Sequence, residues 1–101
     1  MVRIEWAQPA LDDLREIYDF IARDSPRYAQ QTVEKITGTA ARLARFPQIG
    51  EVLSEFPRFV YRQVVVGAYR LIYREDAPRN RVLVMAVIHA SRDLPPILES
   101  R

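Results

Sequence analysis

The chain has 101 residues, a net charge of +2 and 49% hydrophobic residues, enough for one modest core and too little for a second domain. With no cysteine and a single histidine it excludes disulfide staples, cysteine nucleophiles, thiolate metal sites and imidazole-rich metal centres. No apolar run approaches the ~20 residues of a bilayer span, and Met1-Val2-Arg3-Ile4 lacks the apolar segment of a signal peptide, so a cytoplasmic domain covering 1–101 is expected.

Val2 to Trp6 alternates apolar and charged residues, which predicts a short strand with Val2, Ile4 and Trp6 inward. Gln8-Pro9 then opens a helix, since proline is tolerated in the first turn, and Asp12 and Asp13 are expected near the positive end of its dipole. Leu11, Leu14, Ile17, Tyr18 and Ile21 recur at helical spacing as its apolar stripe. Asp24-Ser25-Pro26 ends this helix and starts another, with Ser25 as N-cap and Pro26 in the first turn; so short a link predicts an antiparallel helical hairpin. The second helix runs to about Phe46, with Ala29, Val33, Ile36, Ala40 and Leu43 on its buried side. Gly38 in its interior costs ~1 kcal/mol against alanine unless close packing needs the missing side chain. Phe46-Pro47-Gln48-Ile49-Gly50 stops the helix, and 51–59 is expected to be a loop leading to the sheet.

Tyr61–Val66 and Tyr69–Arg74 are rich in β-branched and aromatic residues, and only Gly67-Ala68 separates them, as a type II′ hairpin turn requires. That turn sets Val66 opposite Tyr69 and Tyr61 opposite Arg74. Val64, Val66, Tyr69, Leu71 and Tyr73 then share a core face with Arg62. Tyr61, Gln63, Val65, Arg70, Ile72 and Arg74 share the other, a surface suited to a partner. After a turn at 77–80, Arg81–His89 is apolar on both faces, which predicts an interior strand with something lying over the second face as well. The order is strand, helix, helix, then a three-stranded antiparallel β-meander: an α+β fold with the hairpin of helices on one face of the sheet.

Charge is uneven. Residues 1–57 hold 7 basic and 9 acidic groups, residues 58–101 hold 8 and 4, and all basic residues except Lys35 are arginine, the side chain suited to bidentate contact with carboxylate or phosphate. There is no Gly-rich phosphate loop and no metal-ligand spacing, so neither metal nor cofactor is expected. Ser91 beside His89 has no carboxylate at a spacing that would make a nucleophilic triad. Arg62, Arg70, Arg74, His89 and Arg92 remain, either as an RNA-cleaving constellation or as anchors for acidic groups, with His89 a hydrogen-bonded strand-end residue.

Four stretches carry a resemblance. Ala10-Leu-Asp-Asp-Leu-Arg-Glu-Ile-Tyr-Asp-Phe-Ile21, Leu43-Ala-Arg-Phe-Pro-Gln-Ile-Gly50, Gly67-Ala-Tyr-Arg-Leu-Ile-Tyr73 and His89-Ala-Ser-Arg-Asp93, in this order, resemble the ParE branch of the ParE/RelE toxins over nearly the whole chain. The resemblance implies a bacterial type II toxin neutralised by a cognate, ParD-like or related antitoxin. It further implies DNA gyrase as target, reached by protein binding without a catalytic site or sequence-specific DNA contact. RelE-like members are instead ribosome-dependent mRNA endonucleases, with two lysines before the hairpin turn, an arginine after it, another beyond the last strand and often a tyrosine near the C-terminus. Arg70 and Arg92 match the arginines; Tyr61 and Gln63 stand where the lysines would be, and Leu98 falls near the tyrosine. The ParE reading therefore makes Tyr61, Arg70, Arg74, Arg92, Leu94 and Leu98 candidates for antitoxin or target binding. The RelE-like alternative would use Arg62, Arg70, His89 and Arg92 as catalytic groups, and a third possibility is a harmless member that only binds its antitoxin. An antitoxin segment is expected over part of the helical hairpin and a sheet edge.

Overall fold

The structure, a computed structural model, describes residues 1–53, 56 and 58–98. Strand β1 (Arg3–Trp6) leads into helices α1 (Gln8–Ala22) and α2 (Pro26–Arg42), followed by strands β2 (Glu51–Leu53), β3 (Tyr61–Val66), β4 (Tyr69–Asp76) and β5 (Arg81–His89). The five strands form one sheet in the order β1-β5-β4-β3-β2, with β1 parallel to β5 and every other pair antiparallel. The α+β class and the helical hairpin are as expected. The sheet is wider than the three-stranded meander plus a terminal strand, because Glu51–Leu53, expected to be loop, pairs with Gln63, Arg62 and Tyr61 as an edge strand. Three residues bounded by Gly50 are too few for alternation to reveal.

The hairpin register agrees with the turn chemistry: Val66 faces Tyr69 and Tyr61 faces Arg74. Gly67 sits at φ 58°, the left-handed value that the first central residue of a II′ turn needs and glycine adopts without strain. The Ser25 hydroxyl accepts from the Tyr28 N–H at 3.1 Å and Pro26 follows it, so α2 starts where its cap predicts. Helix α2 stops at Arg42, four residues before Phe46, and continues as single turns through 43–46.

The helices bury Ala10, Ile36, Ala40 and Leu43 against Leu71, Tyr73, Val82, Val84 and Val87, with Ile4, Trp6, Leu14 and Ile17 around them. On α1 the inward stripe is centred on Ala10, Leu14 and Ile17, leaving Leu11 and Tyr18 outside. Asp13 does not serve the helix dipole. Strand β1 ends opposite Val84, so the outer edge of β5 loses its neighbour there, and the Asp13 carboxylate accepts from the Val87 N–H at 2.9 Å in place of a strand. Burial pushes the Asp13 carboxyl above the usual range, against the lowering effect of that bond.

The opposite face of the sheet is also covered. Tyr61, Ile72, Met85 and Ala86 form a second core with Leu53 and Leu98, flanked by Phe56, Phe59 and Leu94. Strand β5 serves both cores through a bulge. Tyr73 pairs with Val84 and Ile72 with Ala86, so Met85 is an extra residue that lets Met85 and Ala86 both face the second core. The expectation that Tyr61 and Ile72 lie on an open partner surface is thus corrected: both are 0% exposed.

Candidate functional site

Two arginine-bearing ends of the β3–β4 hairpin offer side chains outward. At the turn end, Arg70 donates from Nη1 to Gln63 Oε1 at 3.1 Å and from Nη2 to the Arg92 carbonyl. Gln63 in turn donates to Glu51 Oε1 at 2.8 Å, so the guanidinium is tied to the edge strand on one side and to the chain beyond β5 on the other. Arg70 Nε is buried and has no hydrogen-bond partner among the described residues. His89 pairs with Tyr69 across the β4–β5 ladder, their rings edge to face at 5.7 Å. The Ser91 N–H donates to His89 Nδ1 at 3.2 Å and Ser91 Oγ lies 2.7 Å from the same atom; with the backbone as donor, Nδ1 keeps its lone pair for this turn. Arg92 contributes only its backbone to these contacts, and its side chain is exposed.

Where β3 begins and β4 ends, Arg62 lies on the helix-side face, paired with Tyr73 and therefore across the sheet from Arg70. Its Nη1 donates to the carbonyls of Gln48 at 3.2 Å and Gly50 at 2.9 Å, while the Gly50 N–H donates to the Tyr73 hydroxyl at 2.9 Å. Together Arg62 and Tyr73 clamp the loop that returns from α2 to the sheet. A Cβ at Gly50 would lie 2.7 Å from the Tyr73 hydroxyl and 2.9 Å from the Gln63 carbonyl, so only glycine fits. Burial raises the Tyr73 phenol above its ordinary range. Arg74 places its guanidinium 4.4 Å over the Phe59 ring.

Of the site residues expected from sequence, Arg70 and Arg92 meet at the turn end through the Arg92 carbonyl, while His89, at the same end, shares the helix-side face with its partner Tyr69 and so lies across the sheet from Arg70; Arg74 stands at the far end, and Arg62 is also on the face opposite Arg70. Tyr61 and Leu98, at 0% and 2% exposure, are inside the second core and are not offered to a partner; Leu94 packs beside it, half-buried. Sequence reading missed the Arg62 clamp and the Gln63–Glu51 link, for which the only signal was an arginine on an otherwise apolar face. No group of His, Asp or Glu suited to a metal occurs among the described residues, and no helix is long and apolar enough to cross a membrane.

A family model described as the ParE toxin of the type II toxin-antitoxin system parDE matches residues 4–94. The chain belongs to the ParE toxin family. It is a type II toxin of the ParE/RelE superfamily, and its sequence is similar to Toxin RelE2 of Caulobacter vibrioides, 30% identical over 92 residues that cover 91% of this chain and 99% of that protein. The fold is similar to a chain of the chromosomal ParDE system from P. aeruginosa, with a TM-score of 0.73 at 20% identity over 88% of this chain and 96% of that one. It is also similar to a chain of the intact E. coli RelBE toxin-antitoxin complex, with a TM-score of 0.66 at 19% identity over 91% of this chain and all of that one. This ParE-family chain is therefore similar to proteins named for both branches of the superfamily.

Proposed function

We propose that the chain acts as one cytoplasmic toxin domain that inhibits a protein target, DNA gyrase, by binding to it, and that a cognate ParD-like antitoxin neutralises it. The observation that carries this reading is that Arg62 and His89 lie on the face of the sheet opposite Arg70. A nuclease using Arg62, Arg70, His89 and Arg92 would need them around one phosphate, yet Arg62 lies across the sheet and is committed to the Gln48 and Gly50 carbonyls. Gln63, where a nuclease of this superfamily would carry a cation, instead relays Arg70 to Glu51. What remains outward at the turn end is Arg92 beside half-buried Leu94, a composition suited to a protein contact.

The antitoxin is supported by the relatives named above from ParDE and RelBE systems and by exposed apolar side chains. Leu11, Tyr18, Phe20 and Tyr28 stand outside on the helical hairpin, and a shallow groove between the helices is lined by Leu14, Tyr18 and Val33. At the sheet edge, β2 pairs no further along β3 than Gln63, leaving the outer side of Val64–Val66, away from β4, without a strand among the described residues. These features fit an amphipathic segment of a partner.

Substitution series in an inducible strain test the reading. His89→Ala is expected to leave growth arrest intact. Arg92→Ala keeps the carbonyl that holds Arg70 and so leaves the fold alone, while removing a contact that at the centre of an interface is worth roughly 2 kcal/mol. It is expected to weaken arrest. Arrest that vanishes with His89→Ala and persists with Arg92→Ala would favour ribosome-dependent mRNA cleavage instead.

A further inference from the structure

We propose that the cleft where β3 begins and β4 ends, remote from the Arg70–Arg92 end, is a docking site for an acidic, aliphatic-bearing segment of a protein partner. The inference deepens the protein-binding reading above by naming the chemistry of one contact. The cleft encloses about 360 Å³ and is lined by Arg58, Arg62 and Arg74 together with Phe59, Val60 and Glu75. Three arginines and one glutamate therefore line one opening at the end of the sheet, where residues of both faces meet.

Elsewhere in the chain arginines at strand ends are matched by acids: Arg3 pairs with Glu5, Arg79 with Asp76, and Arg81 with both Glu5 and Asp76. Among the described residues, Arg58, Arg62 and Arg74 make no ion pair. Glu75 is in the cleft but is engaged by the Gln48 amide at 3.3 Å and pairs with none of the three. The excess positive charge is held in place as well. Arg62 is fixed by the Gln48 and Gly50 carbonyls through one nitrogen, leaving the rest of its fork available, and Arg74 lies over the Phe59 ring. Guanidiniums ordered before a ligand arrives lose less entropy when they grip a carboxylate.

A phosphate backbone or a carboxylate-bearing chain would both satisfy this charge. The apolar surroundings favour the chain. Val60, at the lip of the cleft, is 62% exposed, and Val52 is also exposed and lies opposite Arg62 on the same face of the sheet. Aliphatic side chains gain nothing from a polyanionic backbone and gain burial from a segment that alternates acidic and aliphatic residues.

The test is a titration of the purified full-length protein, followed through the arginine Nε–H resonances. The probes are a capped hexapeptide of alternating leucine and glutamate, the same peptide with glutamine for glutamate, a single-stranded oligonucleotide, and inorganic phosphate. The glutamate peptide is expected to shift the Arg58 and Arg74 signals. Arg74→Ala is expected to weaken it at least about tenfold, with Arg74→Lys restoring only part because the stacked fork is lost. Glu75→Gln should strengthen binding, and Arg27→Ala, at the exposed start of α2, should leave it unchanged. Arg62 is left intact because its loss would release the 48–50 loop. Equal affinity for the glutamine peptide, shifts centred on Arg70 and Arg92, binding of oligonucleotide or phosphate as tight as the peptide, or no shift at all would each overturn the proposal. The readout is binding to purified protein, so its failure is separable from failure of the gyrase reading, which is scored in cells and on gyrase itself.

Discussion

The two faces of the sheet are closed by different means. On one, two regular helices lay Ala10, Ile36, Ala40 and Leu43 over Leu71, Tyr73, Val82 and Val84. On the other, Leu53, Leu98 and their flanking residues, drawn from an edge strand, irregular chain and a single 3-10 turn at Pro96–Leu98, cover Tyr61, Ile72 and Met85. Helices satisfy their own backbone as they bury side chains; irregular chain must be ordered residue by residue for each contact it makes. The helix-covered core is accordingly expected to carry the global stability, and the second core to open at lower free energy.

Truncating one residue in each core is the most forceful way to break that contrast. Leu71→Ala, at a fully buried position between helices and sheet, is expected to cost about 2–5 kcal/mol in denaturant unfolding. Leu98→Ala is expected near the low end, roughly 2 kcal/mol, because its surroundings can close over the space. Equal losses, or a larger one at Leu98, would show that both covers are parts of a single cooperative core.

A smaller effect sharpens the role of the helix face. Asp13→Ala leaves the Val87 N–H without its acceptor and is expected to cost roughly 1–3 kcal/mol, whereas Asp13→Asn keeps a carbonyl oxygen there and should cost little. The pH dependence separates these further. The folded carboxyl of Asp13 titrates above its unfolded value of 3.8, so its ionised form costs stability that is regained as pH falls through the folded value. Asp76 and Glu5 run the other way. Hydrogen bonds from Arg81 hold both below their ordinary 3.8 and 4.5, and their stabilisation is present above those values and lost as pH falls further. Melting temperature measured against pH should therefore lose its rise on mild acidification in Asp13→Asn, while Asp76→Asn should blunt the fall at lower pH.

The smallest effect concerns Gly38, where a Cβ would meet nothing within 4 Å. No packing reason offsets the helix cost of glycine, and Gly38→Ala is expected to stabilise by about 0.5–1 kcal/mol in the same denaturant measurement. A loss of stability would show that α2 needs a bend or close approach at this point.

The same contrast explains what could be read from the sequence. Both helices, the Ser25 cap and the β3–β4 register were legible because periodicity, a cap residue and a two-residue turn each act locally. The second cover was legible only as a requirement: the two-sided apolar run 82–88 demanded something over the other face without saying what. Edge strand β2 is too short to alternate, and the Met85 bulge cannot be seen until β4 is set beside β5. Among candidate site residues, the family resemblance pointed to Arg70 and Arg92, which the structure joins through the Arg92 carbonyl. Arg62 was placed on the correct face, but its clamping role was not legible, because its partners are backbone carbonyls of a distant loop, which leave no mark in composition or spacing.

The central claim is that Arg92 serves a protein contact and that Arg70, His89 and Arg92 do no phosphate chemistry. It is tested most directly by adding the purified toxin, in parallel, to a gyrase supercoiling reaction and to ribosomes translating a defined mRNA. The expected result is loss of supercoiling that Arg92→Ala weakens and His89→Ala does not, with the mRNA left whole. Cleavage of mRNA at the ribosome that His89→Ala abolishes, with supercoiling unaffected, would contradict the account.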